Sequence, residues 1–336
     1  MDKLKVSVLF YEDRSEGSIT RDEVVDEVAQ ALTEGGHAVS LLGVYDSLSE
    51  LVDKVHKQKP DLVFNLLETF ADKDSYDMHI TAVLALLGQR FTGTGPVGMA
   101  LRQDKAITKK LLKFHGVRCP AFAIFDRGNL EFAGRMHFPM FVKPMRGDAS
   151  IGIHDSSLVH DYASLVREVS AIHEELHDAA IVEEYIEGRE FYVGVLGNDP
   201  PEALPVIEMD FSKLPPGHPR IYGWEAKFDH SSVQFENVNS IVATDLAPEV
   251  RARITNAALE AVFALQVRDY ARVDMRLAPD GTPFVVEVNA NPYLERTSAF
   301  AIAALQAGMG YKTLINRIVE IAMACSEQNA CQKGMF

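Results

Sequence analysis

Short apolar, β-branched runs alternate with stretches of helical period along the first third of the chain. KVSVLFY (5–11) predicts a buried strand. Residues 20–37 repeat apolar positions at helical spacing behind Thr20 and end at Gly35–Gly36. The cycle recurs, with a strand in AVSLLGV (38–44), a helix over 47–58 and a strand in PDLVFNLLE (60–68). A helix over 77–88 and a short strand in QRFTG (89–93) complete it. Strands alternating with helices imply a parallel sheet with crossover helices, and such sheets bind ligands at the carboxyl ends of their strands. Glu12, Glu16 and Glu68 fall there, although each alone reads more readily as a loop acid.

The Gly/Pro-rich TGTGPVG marks a boundary near residue 95. Beyond it the pattern predicts one helix over 99–116, a run at 117–125 and a strand at 138–144. The glycine-containing loop MRGDASIGIH, a helix over 161–176 and a strand at 179–188 follow. A third block opens with REFYVGVLGN and then makes a long polar excursion over 211–240. Structureless stretches of that length are usually functional lids or disordered. A helix over 247–266, a hairpin of 269–278 and 283–292 around PDGT, and one final helix over 299–326 close the chain.

Composition narrows the class. With 336 residues, 47% hydrophobic and 24% charged, the chain has the makeup of a soluble globular protein of two or three domains. Its net charge of −15 argues against a general nucleic-acid binder, which needs clustered cations. Cys119, Cys325 and Cys331 form no CxxC pair, which fits a reducing cytoplasm. No run approaches about 20 uninterrupted apolar residues, so no membrane span is expected, and the N-terminal run reads as a strand rather than a signal peptide.

The hairpin carries the first candidate chemistry. Residues two apart on a strand share a face, so Glu287 and Asn289 can converge with Asp274 on the neighbouring strand. Three oxygen donors in an apolar setting suit Mg2+; a solvated polar face is the alternative. Lys143 lies inside the apolar FVKP, where a phosphate would be a natural partner and an edge-strand lysine the plain reading. Lys105 by itself reads as a helical surface lysine. IVEEYIEGRE ends a strand with acids at 183, 184, 187 and 190, able to offer backbone bonds to an adenine and a carboxylate to a ribose, or to be a plain linker.

The order of these segments is more specific than any one of them. TGTGP with QDKAITKKLLKFHGVRCP, then PMFVKPMRGDASIGI, IVEEYIEGREFYVGVLGN, IYGWEAKF, YARVDMRL and FVVEVNANP together resemble an ATP-grasp enzyme of the D-alanine–D-alanine ligase branch, from Lys5 to about Ala304. The resemblance implies an α/β, three-domain ATP-grasp fold. A parallel N-terminal domain (1–95) would precede central (96–186) and C-terminal (187–336) α+β domains that sandwich ATP, with a lid over 211–240. It implies Lys105 and Lys143 on the ATP phosphates, Glu183 with the Glu184, Tyr185 and Ile186 backbone at the adenine, and Glu190 at the ribose. Asp274, Glu287 and Asn289 would hold Mg2+ or Mn2+, Lys227 would reach the transferred phosphate from the lid, and Arg272 would steady a tetrahedral intermediate. The implied reaction joins a carboxylate to an amine through an acyl phosphate, in a cytoplasmic enzyme and a homodimer acting on small amino acids or carboxylates.

Departures from the branch cluster around the amino acid. Tyr11–Glu12 replace a glycine pair, although Glu16 keeps the place of the amine-binding acid. LLETFADKDSYD, containing Glu68, replaces a His-Gly segment. Ala149–Ser150 stand for paired serines, and Phe228 for the lid tyrosine. Tyr293 replaces a glycine, Ser298 keeps a carboxylate-binding serine, and Arg296 is a further carboxylate candidate that also reads as a surface arginine. Nucleotide and metal groups are retained while amino-acid groups change, so the expected enzyme is a ligase whose substrates differ from two D-alanines. Synthesis of D-alanyl-D-alanine itself, a kinase-type reaction and a nucleotide-binding protein without ligase activity remain the alternatives.

Overall fold

The computed structural model describes residues 3–14, 20–126, 129–133, 136–147 and 150–325, and their strands fall into three sheets. The first is parallel, β1 (Lys5–Tyr11), β2 (Ala38–Val44) and β3 (Leu62–Asn65) in the order β2-β1-β3. Helices α1 (Glu23–Glu34) and α2 (Leu48–Gln58) are its crossovers, and α3 (Asp77–Leu86) follows β3. Asp22 starts α1 by accepting from the Val24 amide, and Ser47 caps α2 at Glu50. QRFTG makes only a single bridge, from Phe91 to Val63.

Residues 99–116 are not one helix. Asp104 adopts an extended conformation and accepts from the Ala106 and Ile107 amides, ending α4 (Pro96–Gln103) and starting α5 (Lys105–Phe114). The second sheet is antiparallel and five-stranded. It comprises β4 (Phe122–Asp126), β5 (Asn129–Ala133), β6 (Met140–Pro144), β7 (Leu158–Val159) and β8 (Ala180–Glu184), ordered β5-β4-β8-β6-β7. Helix α6 (Tyr162–Ala171) packs against β6 and β7.

The third sheet holds β9 (Arg189–Leu196), β10 (Glu202–Ala203), β11 (Ile207–Asp210), β12 (Asn239–Val242), β13 (Tyr270–Leu277) and β14 (Pro283–Ala290). Its main order is β12-β11-β9-β13-β14, with β10 on β9. The polar excursion is structured, containing α7 (Trp224–Phe228) and α8 (Val233–Asn237) and running into β12. Helix α9 (Pro248–Ala264) packs on β9, β13 and β14. The expected final helix is two, α10 (Ala299–Gln306) and α11 (Tyr311–Ala324), because Gly308 turns with φ +82° and Gly310 starts the second. Helix α11 returns to pack on α1, so residues from both ends of the chain share one core.

The loop between the first sheet and α4 is clamped to the third. Asp269, fully buried, accepts from the Gly93 amide at 2.7 Å and from Asn198 at 2.9 Å, and Asn291 accepts from Thr94. Gly93 has φ +88°, and a Cβ there would lie 2.1 Å from Asn291 Oδ1. Both constraints call for glycine.

Candidate active site

The second and third sheets face each other across a cavity. From the second sheet come Lys143 of β6, Glu183 and Glu184 of β8, and Tyr185 and Ile186 just beyond. From the third come Glu190 and Tyr192 of β9, Asp274 and Arg276 of β13, and Glu287 of β14. Lys227 and Tyr222 close it from the excursion, and Ser150 from the loop after β6.

Strand periodicity aims most of these groups. Arg272, Asp274 and Arg276 alternate onto one face of β13. Arg272 donates to both Asp274 oxygens, at 2.7 and 2.9 Å, and Asn289 Nδ2 reaches Asp274 Oδ2 at 3.0 Å. Opposite, the pairing jumps from Asp274–Glu287 to Met275–Val285 and leaves Val286 unpaired. This β-bulge breaks the strict alternation, so Val285 faces the apolar core while Glu287 turns to the cavity. Asp274, Glu287 and Asn289 are the groups here that would hold Mg2+, with both Asp274 oxygens now taken by Arg272 and the Asn289 amide nitrogen turned to Asp274. Lys105 stands 3.6 Å from Glu287.

The electrostatics are strongly coupled. Burial alone would raise the Glu287 carboxyl, but Lys105, Lys143, Lys227 and Arg272 outweigh it and bring it down to about 2. Asp274 goes the other way, raised by burial in spite of Arg272. Burial and the nearby Arg272 lower Lys227. Lys143 is raised because Glu183 and Glu287 overcome its burial. Glu183 itself, 2% exposed, is held low by two lysines, Lys143 at 2.9 Å and Lys109 at 3.2 Å.

Lys105 stands behind the lining, with its ammonium on the Gly147 carbonyl and 3.6 Å from Glu287. Glu190 is pinned by Arg276 at 3.0 Å and by the Tyr192 hydroxyl at 3.2 Å. Arg276 also donates to the Ile186, Gly188 and Arg220 carbonyls and to the Tyr185 hydroxyl, so one buried guanidinium ties the segment after β8 to β13 and to the excursion. Sequence reasoning passed over Arg276, although its two-residue spacing from Asp274 pointed to the same face. It also passed over Lys109, which reads as surface in TKK.

The excursion lies down on the loop after β6. Lys227 donates to Ser150 Oγ at 2.7 Å, the Trp224 amide to Ile153 O at 2.9 Å, and Gln234 to Asp155 at 2.7 Å. His154 and Glu225 meet at 2.8 Å. Phe228 is half-exposed beside Trp224 and offers no hydroxyl to this contact.

A second cavity, of about 400 Å3, opens at the carboxyl end of the parallel sheet. Tyr11, Asp22, Glu68, Tyr270, Asn291 and Tyr293 are among its lining. Tyr293 donates to Asp22 at 2.7 Å across it. Two of the departures noted in the sequence meet nearby: Tyr11 donates to Asp72 at 2.5 Å and Tyr45 to the other Asp72 oxygen at 2.7 Å. Ala71 and Asp72, both left-handed, are thereby clasped onto the end of β1. Arg296 and Ser298 lie outside this lining. Arg296 pairs with Glu27 at 3.3 Å over the Tyr311 ring, and Ser298 caps α10 at the Ala301 amide. Glu16 lies outside the described residues, as does Ala149.

Comparison with known proteins fits this geometry. The family described as D-ala D-ala ligase C-terminus matches residues 111–320. A D-alanine–D-alanine ligase of Aquifex aeolicus is 30% identical over 297 residues, covering 87% of this chain and 92% of its own length. An uncharacterized protein of Sinorhizobium fredii is 35% identical over 304 residues, with 89% and 87% covered. The crystal structure of a Bacillus anthracis D-alanine–D-alanine ligase complexed with ATP superposes with a TM-score of 0.74 at 22% identity, over 96% of this chain and 98% of that one, a likeness of fold.

Proposed function

Since the chain belongs to the D-alanine–D-alanine ligase family of ATP-grasp, ATP-dependent ligases, we propose that it joins the carboxylate of one small amino acid to the amine of another substrate, and that the pair is not two D-alanines. The observation that carries this is the pairing of two cavities. One has a nucleotide-type lining between two sheets, and the other, under Tyr293 and Glu68, has a lining changed from the family pattern.

Adenine sits against the backbone of Glu184–Ile186, and Glu190, fixed by Arg276 and Tyr192, accepts from the ribose hydroxyls. Lys105, Lys143 and Lys227 face the phosphates. Asp274, Glu287 and Asn289 would hold Mg2+ or Mn2+, which would supply neutralisation of phosphate charge. A substrate carboxylate oxygen attacks the γ-phosphorus, the bond to the bridging oxygen breaks, and ADP leaves an acyl phosphate. The second substrate's amine attacks the acyl carbon, phosphate departs and a proton is released as the amide forms. Arg272, half-buried and with its guanidinium 4.6 Å from the Tyr192 ring centre, offers fixed positive charge to the tetrahedral oxyanion. The excursion, resting on Ser150 and Ile153, keeps water from the acyl phosphate. The work divides over residues 1–95, 96–186 and 187–336, with 211–240 as the lid. In the second cavity Glu68 attracts the amine, and the Tyr293–Asp22 pair sets the space left for the side chain. Glu16, which the resemblance assigns to the same amine, lies outside the described residues.

The test is Mg-ATP-dependent phosphate release over a panel of D- and L-amino acids and small carboxylates, with products identified by mass. Turnover with a pair other than two D-alanines is expected, and no ADP from any acceptor would sink the proposal. Glu287→Gln should keep the fold and lose at least about a hundredfold in kcat, the scale of losing one electrostatic group at a reacting phosphate.

A further inference from the structure

Glu183 has two lysine partners, and only one of them borders the nucleotide cavity. Lys143 and Lys109 approach the same oxygen, Oε1, and all three side chains are at most 3% exposed. Lys143 and Glu183 line the cavity, whereas Lys109 enters from α5 behind them. Lys109 also donates to the Val286 carbonyl at 3.4 Å, at the residue that the bulge leaves out of the β13–β14 pairing. Val286 immediately precedes Glu287. The Lys109 carbonyl in turn accepts from Cys119 Sγ at 3.7 Å.

Two cations around one carboxylate leave a surplus positive charge. A phosphate that draws Lys143 towards itself would strand Glu183 in a dry interior, where an uncompensated carboxylate is strongly unfavourable. Lys109 has no route to the phosphate and stays with Glu183. We propose that Lys109 is a positioning residue: the fixed counter-ion of Glu183 that releases Lys143 to ATP, and the anchor that holds the bulge before Glu287. This rests on the reading of Lys143 as a phosphate-binding lysine. Glu183 is held low by both lysines despite its burial, whereas burial and the neighbouring Lys143 lower Lys109 itself, so the assignment stands on the geometry. The charged or titratable groups facing this cluster are few. Cys119 faces Lys109 and Glu183, while Glu287 and Asp274 act on Lys143 from the third sheet.

The test measures Mg-ATP dissociation constants and steady-state kinetics on the full chain from pH 6 to 8, for wild type, K109M, K109R and K109M/E183Q. In K109M, ATP takes Lys143 and Glu183 must accept a proton, so binding is tighter at low pH. Relative to wild type, its ATP Kd should climb with pH by up to about tenfold per unit, one proton per nucleotide. The loss should fall on KM for ATP more than on kcat. K109R should keep the wild-type slope, and K109M/E183Q should lose the added slope, because no carboxylate remains to be stranded. A K109M slope equal to wild type overturns the proposal, as does an added slope that persists with Gln at 183. If K109M alone does not fold, recovery of folding in K109M/E183Q supports the counter-ion role, and failure of both overturns it. Failure of the parent reading looks different: K143M would then bind Mg-ATP as tightly as wild type.

Discussion

Lys227 must carry its proton to serve a phosphate, yet burial and Arg272 both press it to give that proton up. A lysine whose pKa is lowered in the fold loses its charge at a lower pH than a free one. We therefore expect kcat/KM for ATP, which reports the free enzyme, to decline on the alkaline side below the usual lysine range. Lys227→Arg should move that decline upward, because guanidinium stays charged. An unchanged alkaline limb would remove Lys227 from the phosphate. Glu287 should contribute nothing to the acid limb near neutrality, since it is brought down to about 2. Its stabilising share is complete above the ordinary carboxylate range and fades only as pH falls toward 2. At this scale the sequence was legible wherever alternation on a strand suffices. Asp274 stands opposite Glu287 in the strand register and bonds Asn289, and Arg276 lies on the face that the same rule assigns. Lys109 was not legible, because nothing within TKK distinguishes the lysine that α5 presses against β8 and β14 from one in water.

The bulge at Val286 shows what an element adds to its residues. Unbroken alternation would place Val285 and Glu287 on one face, and no glycine or proline in FVVEV announces the exception. The hairpin itself was readable from PDGT, whereas the helix start at Asp104 was read through as the middle of one helix over 99–116. The turn joining β8 to β9 is a stricter device. Gly188 takes φ +132°, and a Cβ there would lie 2.0 Å from the Leu277 carbonyl. Gly188→Ala should therefore cost at least about 2 kcal/mol, through backbone strain and a displaced β13 end. Because the Gly188 carbonyl accepts from Arg276, the same variant should also raise KM for ATP. Thermal unfolding together with ATP titration would check both. An alanine variant with wild-type melting and affinity would show that the turn has more room than its geometry allows.

Across the whole molecule, the order of segments was enough to anticipate two sheets facing each other across a cavity. It was not enough to show how the altered amino-acid end is built. Tyr11 and the ADKDSYD segment stood out separately, and their union through Asp72 exists only in the fold, across 61 residues of chain. The same holds for Tyr293 and Asp22, 271 residues apart. The excursion over the nucleotide cavity carries one more consequence. Trp224, the chain's single tryptophan, sits there about 40% exposed, against His154 and Phe228 and tied through its amide to Ile153. The protein thus contains its own optical reporter, because its tryptophan emission, excited apart from the tyrosines, arises from the segment expected to respond to the phosphates. Mg-ATP should shift that emission in wavelength or intensity, and the shift should be much smaller in Lys227→Met. A stopped-flow trace would then time lid movement against phosphate release without any added label.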